Sequence, residues 1–436
     1  MAAACGVKIA LVSSYELEGG AARAAQRLFE ALRGAGHETT LHVLYRSSAD
    51  PHVHGADGTS ARLAARLRWR ADQAPGALLG LQRGEFSLNW LRAGLATRLR
   101  EVAADVVHLL WVNAGFVSVA EIAALRGPVV WTAHDMWPFT GGCHYDAGCG
   151  RFENEGCRPC PLQKRGLALA LPRQRLTAKV KASGSTGLRF ICPSRWMASV
   201  AQRSPVARGR AVQVIPNAID TTRFKPIDRS AARQLFGLPP DRTVLLFGAV
   251  NAEADARKGY AQLDAALRLL QQRGLHEGLL LCVFGSVTRG DGTLHGIPVR
   301  HVGHLHDDES LVALYSAADL FVAPSLQDNL PNTVLEANAC GLASMAFDIG
   351  GMADLVEHGV SGWLATAGDA ESLADGIAHA LQHPSWRQSA GLAARAAAVA
   401  NFSYPVVAAA HAGFYRDAIA GFSADVSAGV SADIPS

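Results

Sequence analysis

The chain has 436 residues, 49% of them hydrophobic and 18% charged, with 8 cysteines and a net charge of +3. That is enough chain for two domains with separate cores, and too apolar for intrinsic disorder. No uncharged apolar run reaches the ~18–20 residues a bilayer span needs. The opening residues lead into a strand-like stretch without the apolar segment of a secretory leader. The expectation is a cytoplasmic protein, at most peripheral at the inner face of the cytoplasmic membrane. The charge is unevenly spread: residues 1–210 carry 27 Lys/Arg against 15 Asp/Glu, and the remainder carries 14 against 23. A basic half beside an acidic half implies two domains, the first meeting an anionic partner such as nucleic acid or an acidic membrane surface.

In chain order, the first strand is expected at Ile9–Ser14, followed by Glu18-Gly19-Gly20-Ala21-Ala22-Arg23 and a helix over Ala21–Gly36. A glycine pair between strand and helix lets the backbone approach a ligand and puts a helix N-terminus beside it. A strand follows at Thr39–Tyr45, then helices at Ala61–Asp72 and Leu88–Arg100. The first of these holds Arg62, Leu63, Arg66, Leu67, Arg68, Trp69 and Arg70, a basic amphipathic pattern suited to an anionic surface. Strands at Val106–Val112 and Pro128–His134 come next. The second ends Thr132-Ala-His134-Asp135, where His134 reaches a substrate if the sheet is parallel and open.

Four cysteines then fall within 18 residues: Cys143, Cys149, Cys157 and Cys160. In a reducing compartment such clustering favours thiolate–metal ligation over disulfides, and four thiolates suit a tetrahedral structural zinc. His144 is an alternative ligand, and free thiols are the rival reading. Cys5, Cys192, Cys282 and Cys340 are scattered and read as plain thiols.

After a strand at Arg189–Ser194 the style repeats. Strands are expected at Val212–Pro216, Val244–Val250, Leu279–Gly285, Val299–Gly303, Leu320–Ser325 and Leu342–Phe347. Helices are expected at Tyr260–Arg273, Asp308–Ala317, Asn332–Cys340, Ala370–Leu381 and Trp386–Ala400. Short apolar strands alternating with helices predict a parallel sheet covered on both faces. Its occurrence twice predicts an α/β protein of two doubly wound domains. The boundary is placed near Ala198–Arg210, giving domains at 1–205 and 206–403. A helix at 404–420 packs back on the first domain, and a disordered tail occupies 421–436.

In the second half, Asp255-Ala-Arg257-Lys258-Gly259 opens a helix with a basic pair, which suits an anion. Asp328-Asn329-Leu330-Pro331-Asn332-Thr-Val-Leu-Glu336 sets one acid before a helix and another about a turn inside it. Free amides lie between them. Amides for phosphates, one acid for a ribose and one for a sugar describe a nucleotide-diphosphate sugar.

In order, the Gly19-Gly20 loop, Thr132-Ala-His134-Asp135, Ile215-Pro-Asn217-Ala-Ile-Asp220, Arg257-Lys258-Gly259, Pro324-Ser325 and Asp328-x7-Glu336 resemble the retaining glycosyltransferases of family 4. These have the two-lobed GT-B fold. The run from His134 through the cysteines is similar to a subgroup of colanic-acid-type exopolysaccharide transferases. The resemblance implies two lobes closing on a nucleotide-sugar donor (UDP- or GDP-linked), with the donor held mainly by the C-terminal lobe and the acceptor by the N-terminal one. It also implies a saccharide or polyprenyl-diphosphate-linked acceptor, no catalytic metal and no nucleic-acid partner. Carried over by position, Glu336 holds the ribose, Asp328 faces the donor sugar, and the amides of Asn329–Asn332 face phosphates or sugar. Lys258, with Arg257 sharing the role, neutralises the diphosphate. His134 lies near the transferred sugar, and Gly20 lets its loop approach the donor phosphate. Two departures stand out: Asp328 replaces the usual glutamate, and Ala249 stands where an arginine is common. The rival readings are a same-fold sugar-nucleotide epimerase or hydrolase, and a zinc-containing nucleic-acid-binding protein.

Overall fold

The computed structural model describes residues 6–78, 80–81, 86–163, 170–248, 255–286 and 290–432. Cys5, the Ala249–Asn251 stretch and the last four residues lie outside the described residues. The chain divides into two compact units, Met1–Pro216 with Val407–Ser436, and Asn217–Val406.

The first unit begins with β1 (Lys8–Val12), α1 (Gly20–Gly34), β2 (Glu38–Tyr45), β3 (Val53–Ala56), α2 (Gly58–Leu78), α3 (Leu95–Val102) and β4 (Val106–Leu109). It continues with α4 (Val119–Ala123), β5 (Val129–Thr132), α5 (Leu171–Thr186), β6 (Arg189–Cys192), α6 (Arg195–Arg203) and β7 (Val212–Val214). The strands form one sheet in the order β3-β2-β1-β4-β5-β6-β7, with every pairing parallel. The central strands β4 and β5 are buried along their whole length, as a sheet covered on both faces requires. The order reverses between β1 and β4, so the carboxyl ends of those two strands flank the switch point where doubly wound sheets bind ligands.

The second unit comprises α7 (Arg229–Leu235), β8 (Thr243–Gly248), α8 (Tyr260–Gln272), β9 (Leu279–Phe284), β10 (Gly292–Leu294), β11 (Ile297–Gly303) and α9 (Asp308–Ala317). Then come β12 (Leu320–Ala323), α10 (Asn332–Ala339), β13 (Ser344–Phe347), β14 (Gly362–Ala365), α11 (Ala370–Gln382) and α12 (Pro384–Phe402). Its sheet runs β10-β11-β9-β8-β12-β13-β14, parallel except for the β10–β11 hairpin. Here the order reverses between β8 and β12. Buried Asp319 ties α7 to this sheet: it accepts Arg233 Nη2 at 2.7 Å and the Val244 amide at 2.7 Å.

Three expectations need correction. The chain leaves the first unit at Pro216, not within 198–210, because β7 pairs with β6 and extends the first sheet. The helix expected over Leu88–Arg100 begins only at Leu95. Before it, Asn89 is held left-handed (φ 46°) and its amide donates to the carbonyls of Val112 and Val117 at 3.0 Å each. Finally, residues 421–432 are not irregular. They continue α13 (Tyr404–Ala432), whose Ala-rich sequence favours helix. The strands β3, β10 and β14 and the helices α4 to α7 were not expected.

From Val407 onward α13 belongs to the first unit and packs on its sheet. Buried His108 on β4 bonds Tyr415 Oη through Nδ1 and Thr132 Oγ1 through Nε2, both at 2.7 Å. The His411 ring lies nearby at 5.7 Å, tilted by 37°, and its Nδ1 donates to Val407 O within its own turn at 2.9 Å. Burial pushes His411 down to about 4 and His108 well below its usual value. Both imidazoles are neutral in the fold and protonate more readily when unfolded. Their stabilisation is complete above about pH 6.5 and is lost as pH falls towards 4. Urea melts between pH 7.5 and 4.5 should show stability falling with a slope of up to about 1.4 kcal/mol per pH unit for each histidine. Replacing His411 by Leu should flatten the slope by up to one proton.

Candidate functional site

The motif residues of the second unit meet at the carboxyl ends of β8 and β12. After β8 the chain returns as a 3-10 turn, Ala256–Lys258, capped by Asp255, whose side chain accepts the Arg257 amide. Gly259 follows with φ 72°, and a Cβ there would lie 1.8 Å from Pro324 O. Only glycine permits this approach. The Leu326 amide donates to Arg257 O at 2.7 Å, closing the turn on to the Pro324–Leu326 segment. Lys258 is thereby delivered to Asp328, with Nζ 2.7 Å from Oδ2. Asp328 Oδ1 accepts the Asn329 amide at 3.0 Å, and Asp328 O lies against Gly350. Lys258, Gly248, Ser325, Pro331 and Thr333 line one small cavity at this edge.

The α10 helix starts beside it. Pro331 is its N-cap residue and supplies no side-chain cap, while Asn332 and Thr333 are half-buried. An uncapped N-terminus offers N–H donors and the positive end of the helix dipole. Asn217 braces the segment, donating to Asn332 Oδ1 at 3.1 Å and towards Leu330 O at 3.4 Å. Asn329 and Leu330 are buried. Glu336 is 2% exposed and accepts Tyr315 Oη at 2.9 Å. The two acids thus have different partners: Asp328 faces a lysine, Glu336 a tyrosine. Arg257 stands apart from this group, its guanidinium held by both oxygens of Asp255 at 3.1 and 2.7 Å. Sequence reasoning missed Tyr315 and Gly350, which no local signal marks.

In the first unit, Gly19 has φ 89° and open space where a Cβ would stand, and α1 begins at Gly20 without a side-chain cap. His134 follows β5. Desolvation pushes it down to about 4, against the pull of Asp135, so its imidazole is neutral. Asp135 is held below the usual carboxylate range despite burial, because His144, the Trp137 amide and Trp111 Nε1 all point at it.

The four clustered cysteines line one small cavity with Phe86 and Asp146. All are free thiols. Among the described residues, however, no group of three or more His, Cys, Asp or Glu side chains is arranged to hold a metal ion. The expected zinc site thus has no support among the described residues beyond the shared cavity. Without a metal, burial raises all four thiols, Cys157 to about 11. Cys143 packs in an apolar cluster with Leu81, Phe86 and Leu88. His144 is no substitute ligand, since Asp135 and Ser87 take its two nitrogens.

Residues 18–223 match the profile described as Glycosyltransferase Family 4, and residues 241–383 that of Glycosyl transferases group 1. A D-inositol 3-phosphate glycosyltransferase 2 of Catenulispora acidiphila is 30% identical over 316 residues, covering 68% of this chain and 69% of that protein. A D-inositol 3-phosphate glycosyltransferase of Saccharomonospora viridis is 31% identical over 48% of this chain and 51% of its own. For that relative the chain matches about half its length. Sucrose-phosphate synthase from Thermosynechococcus elongatus superposes with a TM-score of 0.65 at 20% identity, covering 95% of this chain and 99% of that one. Anabaena HepE in complex with UDP-glucose does so with 0.64 at 18% identity, over 94% and 100%. The chain belongs to the group 1, family 4 glycosyltransferases and has the GT-B fold.

Gly259 and Gly19 make a matched pair of tests. Both carry positive φ, but only Gly259 is pressed against backbone. Gly259→Ala should lower the melting temperature by several degrees, the strain being of order 1–3 kcal/mol or more. Gly19→Ala should lower it far less.

Proposed function

We propose that the chain transfers a glycosyl group, with retention, from a nucleotide-sugar donor bound on the second unit. The observation that carries this is the Lys258–Asp328 pair beside the uncapped start of α10. A diphosphate carries more charge than a carboxylate, so it draws Lys258 off Asp328 and takes the α10 amides as further donors. Asp328, released, is free to face the sugar. Glu336 takes the ribose hydroxyls, a role that requires it to turn from Tyr315. The leaving diphosphate collapses charge on to Lys258 while the acceptor hydroxyl attacks from the same face and passes its proton to the departing phosphate. Catalysis of this kind is mostly positioning and electrostatic stabilisation. UDP-glucose heads the donor candidates because a neighbour of the same fold is named in complex with it.

A saccharide or polyprenyl-linked saccharide, in cell-surface polysaccharide synthesis, is the acceptor class we favour. An inositol phosphate is the second reading, supported by what the similar glycosyltransferases are named for. No helix among the described residues is long and apolar enough to cross a membrane. Lipid contact is proposed through α2, where Leu63, Leu67 and Trp69 are 58%, 55% and 38% exposed among Arg62, Arg66 and Arg70. Arg68 does not contribute, since its guanidinium donates to Gly115 O at 2.8 Å.

A thermal-shift screen of UDP- and GDP-sugars should give one donor that raises the melting temperature. With it, Lys258→Ala should reduce kcat about 10²–10³-fold, as loss of one charge-stabilising donor does. Unchanged turnover would remove Lys258 from the mechanism, and an inverted anomer in the product would remove retention.

Anionic vesicles at low salt should sediment the protein, and neutral ones should not. Replacing Arg62, Arg66 and Arg70 by Gln should abolish the difference.

A further inference from the structure

The carboxyl edge of the first unit's sheet carries a row of aromatic rings that no part of the donor chemistry uses. Tyr45 ends β2, Tyr15 follows β1, Trp111 follows β4, and His144 lies in the loop after β5. The rings therefore succeed one another in the order of four adjacent strands. Centroid steps are 6.0, 5.9 and 5.9 Å. The Tyr15–Trp111 and Trp111–His144 planes are inclined by only 29° and 28°. Tyr15 and Trp111 straddle the switch point between β1 and β4, and Tyr15, Trp111 and His144 are all partly exposed.

The row is held in place by hydrogen bonds of its own. Asp135 Oδ2 accepts both Trp111 Nε1 at 2.9 Å and His144 Nδ1 at 2.7 Å. The other ring nitrogen, Nε2, bonds Ser87 Oγ at 2.9 Å. Ser87 is buried, which makes this Ser–His–Asp chain a brace for the ring and not a nucleophile exposed to substrate. Buried Ser14 locks the two loops: its amide donates to Trp111 O at 2.7 Å and its hydroxyl to Asn113 O at 2.6 Å. A pre-positioned, partly exposed row of rings at a switch point, backed by a buried carboxylate, suits the C–H face of a neutral pyranose better than an anion.

We propose that Tyr15, Trp111 and His144 form a saccharide-stacking subsite for the acceptor, with Asp135 as its positioning residue. The proposal rests on the glycosyltransferase reading above and deepens it: the acceptor end that binds here is a run of neutral sugar rings, not an inositol phosphate.

The test is saturation-transfer NMR and calorimetry on the full chain with UDP present, using maltotriose, mannotriose and cellotriose as probes and inositol 1-phosphate as the contrast. At least one trisaccharide should bind through its ring C–H protons, and inositol 1-phosphate should not compete. Trp111→Ala should raise its dissociation constant about tenfold or more, and Trp111→Phe should recover most of the loss. Asp135→Asn, with the ring kept and its clamp weakened, should give an intermediate rise. Tyr15→Ala is a second variant in case Trp111→Ala fails to fold. If UDP stabilises the protein but no trisaccharide binds, or if binding survives both Trp111→Ala and Tyr15→Ala, the subsite is wrong while the donor reading stands. If neither UDP nor GDP binds, the donor reading falls, and trisaccharide binding that depends on Trp111 still supports the subsite.

Discussion

The contact between Gly259 and the Pro324 carbonyl is the constraint on which the second unit's chemistry depends. β8 and β12 are neighbours in the sheet. Pressing the turn after Lys258 on to the segment after β12 makes the lysine and Asp328 neighbours although they are 70 positions apart. A glycine with no role in chemistry thus decides where the charge sits.

Asp135 plays the corresponding part in the first unit. Its two oxygens gather the Trp111 indole, the His144 ring and the Trp137 amide. Three donors offset the cost of burying the carboxylate, which is why its acidity increases despite desolvation. Lys179 supports the same turn from below, its buried ammonium lying over the Trp137 ring at 3.5 Å and donating to Thr140 O at 3.0 Å. The loop after β5 has little regular structure of its own, and these polar ties replace the ladder hydrogen bonds it lacks.

Much of this was legible in the sequence because period and spacing are local. Buried strands such as β8 and β9 announce themselves as unbroken apolar runs, and Arg257-Lys258-Gly259 and Asp328-x7-Glu336 are contiguous motifs. What could not be read is set by partners far away. The edge strand β7 reads as a strand, but of the second domain, until it pairs with β6. The cysteines suggested a metal because sequence reports their number and spacing, whereas the arrangement of ligand atoms is set by the fold around them. Trp111 carries no motif at all. It becomes notable only when β1, β4 and β5 are placed side by side.

The shorter acid at position 328 also acquires a meaning. A glutamate would extend one methylene further before reaching its partners. Asp328 instead folds back, one oxygen on its own following amide and the other on Lys258. The resting site is thus internally neutralised, the carboxylate offsetting the lysine's charge. Desolvating a lone ammonium at this edge would be costly, and pairing it removes that cost until a ligand of higher charge arrives. On the proposed donor reading, the exchange favours a diphosphate over a monoanion, because the second negative charge and the α10 amides must together outweigh a 2.7 Å ion pair. On that reading, charge selectivity for the donor resides in the pair itself, before any contact with base or sugar is made.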